Sequence, residues 1–224
     1  KKLIYYCNIT NPIEGVFLIV FGVIVSLVIV IIDSWINWFF NIRLNFSSGT
    51  NNELVNFLLY IFSGVVLSLI ATSVGYYISS EADGTGIPEL KSILSGIMNP
   101  NFFSFQTFIA KVIGLISVIS SGLAVGRVGP YIHLSCIICK QLLNFGCFER
   151  LKNSVSFKTN ILLAASTAGI TLALGTPLGG VLFSLETSSN IYVVSNIWRN
   201  FFTATICFVF SNLIQKVTGL NIYK

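Results

Sequence analysis

The chain has 224 residues, 54% of them apolar and only 9% charged, where a soluble domain carries about 25% charge. So few charges cannot solvate a surface of this size, which leaves lipid as the solvent. The net charge of +5 is scattered, with no basic run, so it argues against nucleic acid as a partner and suits a membrane protein with positive cytoplasmic loops.

The chain opens on Lys1, and its one methionine is Met98, as expected of a piece of a longer protein. Lys1 and Lys2 precede an apolar stretch that is too long for a secretory signal peptide and lacks a small-residue cleavage site. The first uncharged run covers residues 15–32. It continues past Asp33 into Trp35, Trp38, Phe39 and Phe40, an aromatic end suited to a membrane interface. Residues 54–80 form a second run and residues 159–185 a third, each long enough to cross a hydrocarbon core of ~30 Å as a helix. The lysines at the start place that end in the cytoplasm. The loop expected at residues 41–53 is then outside, where its sequon Asn45-Phe46-Ser47 is usable. The sequon Asn8-Ile9-Thr10 falls on the wrong side and is expected to be idle. The segment 140–158, with Lys140, Arg150, Lys152 and Lys158 against Glu149, is expected to be cytoplasmic.

The remaining apolar segments, 87–97, 102–123, 128–143 and 179–186, are short or interrupted. The short ones begin beside glycine and proline: Gly86-Ile87-Pro88, Gly129-Pro130 and Thr176-Pro177-Leu178-Gly179-Gly180. Such pairs break helices. Broken backbone survives in lipid only where it is buried in protein or lines a wet cavity, so these three helix starts are expected inside the membrane, on a polar pathway. A helix start offers free N–H groups and about half a positive charge, which suits an anion. Proline near the start sacrifices no hydrogen bond. The competing reading is kinked helices packing through small residues.

Five cysteines (Cys7, Cys136, Cys139, Cys147, Cys207) make no disulfide framework. Cys136 and Cys139 have redox or metal spacing, but with no second pair they are expected to pack in an apolar helix. His133, the only histidine, is expected to be satisfied or to face the lumen. No metal site is expected. Gly84-Thr85-Gly86 has no third glycine and no preceding strand, so it is not a dinucleotide loop. With no Ser-His-acid set, no catalytic residues are assigned and an enzyme is not expected.

Three stretches together resemble the CLC family of chloride channels and proton-coupled chloride exchangers. They are Gly84-Thr85-Gly86-Ile87-Pro88-Glu89, Gly126-Arg127-Val128-Gly129-Pro130, and the run from Gly175-Thr176-Pro177-Leu178-Gly179-Gly180 through Val181-Leu182-Phe183-Ser184-Leu185-Glu186. Thr107-Phe108-Ile109-Ala110-Lys111 and Trp198-Arg199-Asn200-Phe201-Phe202 match further, so the resemblance runs from about residue 12 to the end. It implies an all-α, polytopic membrane protein with broken or re-entrant helices, folded as two inverted repeats. It also implies a homodimer joined by the later helices of each half, chloride as the permeant ligand and no cofactor. Residues 1–224 correspond to the first repeat only, without the second repeat or the cytoplasmic nucleotide-binding modules of many eukaryotic members. The membrane, plasma or internal, is left open.

The resemblance places the anion ligands at Gly84, Thr85, Gly86, Ile87 and Pro88, and at Gly126, Arg127, Val128, Gly129 and Pro130. Thr85 aligns with a residue, often serine, whose hydroxyl coordinates chloride; its other reading is a helix N-cap. Arg127 aligns with a basic residue at the outer approach, where it raises the potential for anions; its other reading is a structural ion pair or a snorkelling side chain. Val128 stands where the family usually has a glutamate that gates the pore and, in exchangers, carries the proton. Thr187 stands at the internal proton relay, the second of two adjacent acids in exchangers, and cannot relay a proton as a carboxylate does. The loss of both predicts passive chloride conduction. The alternatives are an exchanger using other groups and a non-conducting subunit.

Overall fold

The computed structural model describes residues 12–49, 52–97, 101–144, 155–187 and 197–219. All regular structure among them is helical. The α-helices are α1 (Pro12–Ser47), α2 (Glu53–Ile78), α3 (Ile87–Leu94), α4 (Phe105–Ser120), α5 (Val128–Leu143), α6 (Val155–Leu174), α7 (Pro177–Thr187) and α8 (Ile197–Thr218). Single 3-10 turns at Ser80–Ala82 and Asn101–Phe103 precede α3 and α4.

Three of these helices are long and apolar enough to cross a membrane: α1, α2 and α8. With the shorter apolar helices α4, α5 and α6 they make the chain a polytopic integral membrane protein. The core lies along α5 and α6. Every residue from 131 to 139 and from 163 to 172 is buried, as expected of a helix that is apolar on all sides and surrounded by others. The polar side chains there are satisfied locally. Thr167 and Thr171 donate to the carbonyls of Leu163 and Thr167, at 2.9 and 2.8 Å, a helix-internal bond that threonine makes readily. Close approach needs glycine at 169, because a β-carbon there would lie 2.6 Å from the Tyr131 carbonyl oxygen.

Around this core, α1 and α8 run parallel. Glu14 pairs with Arg199 at their starts, and Gly22 lies against Ile206 and Cys207 further along. The chain turns back into α2 and again into α4. The end of α2 meets the start of α4 where the Ser79 and Thr107 hydroxyls lie 3.0 Å apart. At the opposite end, buried Arg43 of α1 donates to the carbonyls of Tyr60 and Ser120, each at 3.1 Å.

Three expectations about the elements are corrected. The loop expected from residue 41 does not begin there, because α1 runs on to Ser47. Buried Ile36 and Arg43 anchor this aromatic stretch against its neighbours, and the sequon Asn45-Phe46-Ser47 lies in the last helical turn. The run 159–185 is not one span. Gly175, with φ of +68°, closes α6 by donating its N–H to the Thr171 carbonyl at 2.8 Å, and Pro177 opens α7 two residues later. The left-handed residue followed by proline is an ordinary helix stop, and composition does not reveal it. Segment 102–123 is likewise trimmed to Phe105–Ser120, where Ser104 caps the helix by accepting the Thr107 N–H at 3.2 Å. The sequon at Asn8, Cys7, Cys147 and the charges Glu149, Arg150 and Lys152 lie outside the described residues.

Candidate functional site

The sequence expects helices to start beside Gly86-Ile87-Pro88, Gly129-Pro130 and Thr176-Pro177-Leu178-Gly179-Gly180, the last of them at residue 179; the structure starts α3 at Ile87, α5 at Val128 and α7 at Pro177, two residues earlier than expected. The first two starts are joined. A β-carbon on Gly129 would lie 2.7 Å from the Thr85 Cβ and 2.9 Å from its carbonyl oxygen, so the turn before α3 rests on the first turn of α5. Only glycine permits this approach. The third start is elsewhere: α7 packs on α6 and α8.

The cap of α3 is Gly86, at φ of +77°, and not Thr85. The Thr85 hydroxyl still accepts from the Ile87 N–H, at a long 3.4 Å, and the residue is exposed. Gly86 itself supplies no side-chain cap, so among the described residues the long Thr85 bond is the side-chain cap at this start, an arrangement that suits an anion ligand. Gly84, also at positive φ, and Pro88 complete this turn.

On α5, Val128 is the first helical residue. It is half-buried and packs against the core, so neither charge nor hydroxyl is offered at this point. Gly126 faces open space, in an exposed stretch from Gly122. Arg127, half-exposed, places Nη1 3.2 Å from Asp33 Oδ1. The Tyr131 hydroxyl donates to the same carboxylate oxygen. The ion-pair reading of Arg127 therefore describes its geometry, with much of the side chain still open.

Behind the Gly84-Thr85-Gly86 turn lies a buried cation. Lys111 of α4 is 4% exposed, and its Nζ donates to the carbonyls of Ala82 and Gly84, at 2.8 and 2.7 Å. Two charge-assisted bonds compensate part of its desolvation and fix the turn. A cavity of about 210 Å³ opens beside it, between α2 and α4, lined by Lys111, Asp83, Gly84, Val125 and Pro130 among others. His133 of α5 is fully buried. Its Nε2 lies 2.9 Å from the Phe102 carbonyl oxygen, and its ring stacks on Phe102. Cys136 and Cys139 are buried and free, their thiols turned toward α6 carbonyls at 4.0 Å, so they pack between the two helices.

Thr187 ends α7, but its side chain lies outside the described residues; Glu186 before it is exposed. Sequence reasoning did not single out Lys111, nor the pairing of Asp33 with Arg127. A lone charge within an apolar helix is the signal that finds both.

The sequence profile of the voltage gated chloride channel family matches residues 64–223. Chloride channel protein F of Dictyostelium discoideum is 35% identical over 202 residues, which are 90% of this chain and 25% of that protein. H(+)/Cl(-) exchange transporter 5 of Cavia porcellus is also 35% identical, over 172 residues, 77% of this chain and 23% of that protein. The crystal structure of a eukaryotic CLC transporter superposes with a TM-score of 0.84 at 32% identity, covering 95% of this chain and 39% of that one. The chain thus spans about a quarter of the length of these curated relatives. Three glycine-proline helix starts, their order and these likenesses agree: the chain belongs to the CLC family, which includes chloride channels and H(+)/Cl(-) exchangers.

Proposed function

We propose that this chain is the first inverted repeat of a passive chloride channel, with chloride held by the starts of α3 and α5 and no carboxylate gate. One observation carries the reading: Val128 is the first residue of α5, beside the Thr85 turn. A glutamate there would reach the anion position; valine neither blocks it nor carries a proton. Thr187, where exchangers relay a proton, points the same way. Lys111 supports the anion reading by setting a positive charge behind the ligand turn, and the lipid bilayer is the remaining partner.

The second repeat, in the full-length protein, completes the pore. A homodimer is supported by the exposed apolar faces of α7 (Leu178, Leu182) and α8 (Trp198, Phe202, Val209, Leu213). Conduction needs neither catalytic residue nor cofactor, only chloride as permeant ligand.

The equal likeness to a channel and to an exchanger keeps one rival in view, an exchanger coupled through other groups. The reversal potential of the reconstituted full-length protein decides. It is expected to follow the chloride gradient and to ignore an added pH gradient. A shift with pH in fixed proportion identifies the exchanger, and no anion current at all identifies a non-conducting subunit.

A further inference from the structure

The chain's only histidine lies in the second turn of α5, directly behind the corner at which α3 begins. A β-carbon at Gly86 would lie 3.0 Å from His133 Cβ and 3.1 Å from its Nδ1, so the Nδ1 edge of the ring faces this corner. The carbonyl of Phe102, 2.9 Å from Nε2, can only accept, so Nε2 carries the hydrogen. In the neutral ring, Nδ1 is then a bare lone pair. It is buried and has no hydrogen-bond partner among the described residues. Stacking of the ring on Phe102, with centroids 3.9 Å apart, holds it in this orientation. A buried acceptor without a donor calls for an explanation, and this one faces the corner at which α3 begins.

We propose that His133 Nδ1 is a proton-binding site linked to the anion position at the start of α3. An anion held there and a proton held on His133 stabilise each other. The inference rests on the reading of that helix start as an anion ligand. One bond forms, N–H at Nδ1, from the ring lone pair and a proton drawn from solvent, and no electrons pass between groups. The imidazolium then keeps one N–H on the Phe102 carbonyl and turns the other toward the Gly86 corner.

The charge facing His133 from α4 is Lys111, which in turn interacts with Asp83 before α3 and Glu89 on it. On α5 itself, Arg127 is held by Asp33 and Lys140 lies near the opposite end, against the Phe103 ring. On α6, Lys158 is at the start of the helix. Beside Lys111, a second cation gains most when an anion stands between the helix starts. Proton and anion therefore arrive together. A proton that enters and leaves from one side carries no net current, so the link tunes how tightly chloride is held and leaves the reversal potential to chloride.

The test is calorimetric titration of the purified full-length protein with chloride, at pH 5.5 and 7.5, in two buffers of different ionisation enthalpy. Proton uptake on chloride binding is expected, with affinity about threefold or more tighter at the lower pH. His133→Gln, whose amide can still donate to Phe102 but does not titrate, is expected to bind chloride with no uptake. If that variant does not assemble, His133→Asn replaces it. Chloride binding without proton uptake in the wild type overturns this proposal alone, as does uptake that persists in the variant. Absence of chloride binding overturns the anion reading and this proposal with it.

Discussion

The two flanks of the Thr85 turn are built differently. On one side α5 and α6 are sealed, with runs of nine and ten consecutive buried residues. On the other, α2 is as apolar as a spanning helix, yet only 6% of its most apolar stretch is buried, against 50% for α1. The Thr85 turn and the start of α5 lie on the border between them. The sealed side supplies fixed geometry: helix starts, a glycine seam and no room to move. The open side supplies access, through exposed Thr85, the stretch 122–126 and the cavity at Lys111. The proposed anion site needs both, since N–H groups must be held rigidly while one face stays reachable by the ion.

The difference predicts unequal tolerance to substitution. Gly169→Val places side-chain atoms into the backbone of α5, where a single β-carbon already has 2.6 Å. Overpacking of a rigid seam costs about 1–3 kcal/mol or more, and the full-length protein is expected to lose its fold in a thermal melt in detergent. Leu69→Ala on exposed α2 is the control, expected within about 0.5 kcal/mol of the wild type. Equal losses at the two sites would mean that α2 is covered as tightly as α6.

Lys111→Met tests the border itself. Methionine keeps the apolar stem and removes the ammonium, leaving the Ala82 and Gly84 carbonyls without their donor. Buried acceptors left unpaired cost about 1–3 kcal/mol, and the positive field behind the Thr85 turn is lost as well. Chloride affinity measured calorimetrically is expected to fall roughly tenfold. Unchanged affinity would show that the turn holds its shape and field without Lys111.

Val128→Glu restores a carboxylate at the first residue of α5. A helix start stabilises the anionic form of that side chain, which then competes with chloride. Single-channel current at pH 7 is expected to drop several-fold and to recover as the pH falls through the carboxylate range, around 4–5. The sign follows from the charge: the block is present above that range and is lost below it. A current indifferent to pH would mean that position 128 does not reach the ion.

How much of this was legible beforehand follows from range. Local rules found the helix starts: proline and glycine fix the backbone wherever they stand, so Val128 and Ile87 were located to the residue. The apolar runs located α2 to within two residues. What failed had two causes, one distant and one local. The end of α1 is set by Arg43 reaching α2 and α4, and the break at Gly175 by a left-handed turn that composition hides. At the candidate site, the turns proposed to hold the anion stand out as motifs. The supports do not, because Lys111 and His133 act across 27 and 31 positions of sequence.

The smallest expected effect is at Asp33, and it separates the two readings of Arg127. Asp33 accepts from both Arg127 and Tyr131, so its carboxylate ties the start of α5 to α1 and also cancels the arginine's charge. Asp33→Asn keeps the size and an acceptor while removing the negative charge. If Arg127 serves chiefly to draw anions, the freed charge raises the local potential. Conductance at low chloride is then expected to rise about twofold, an increase that added salt erases, since the Debye length falls to about 8 Å at 0.15 M. If the pair is purely structural, conductance stays flat or falls and the melting temperature drops instead. The double variant Asp33→Asn, Arg127→Gln closes the cycle: a gain carried by Arg127 vanishes with it.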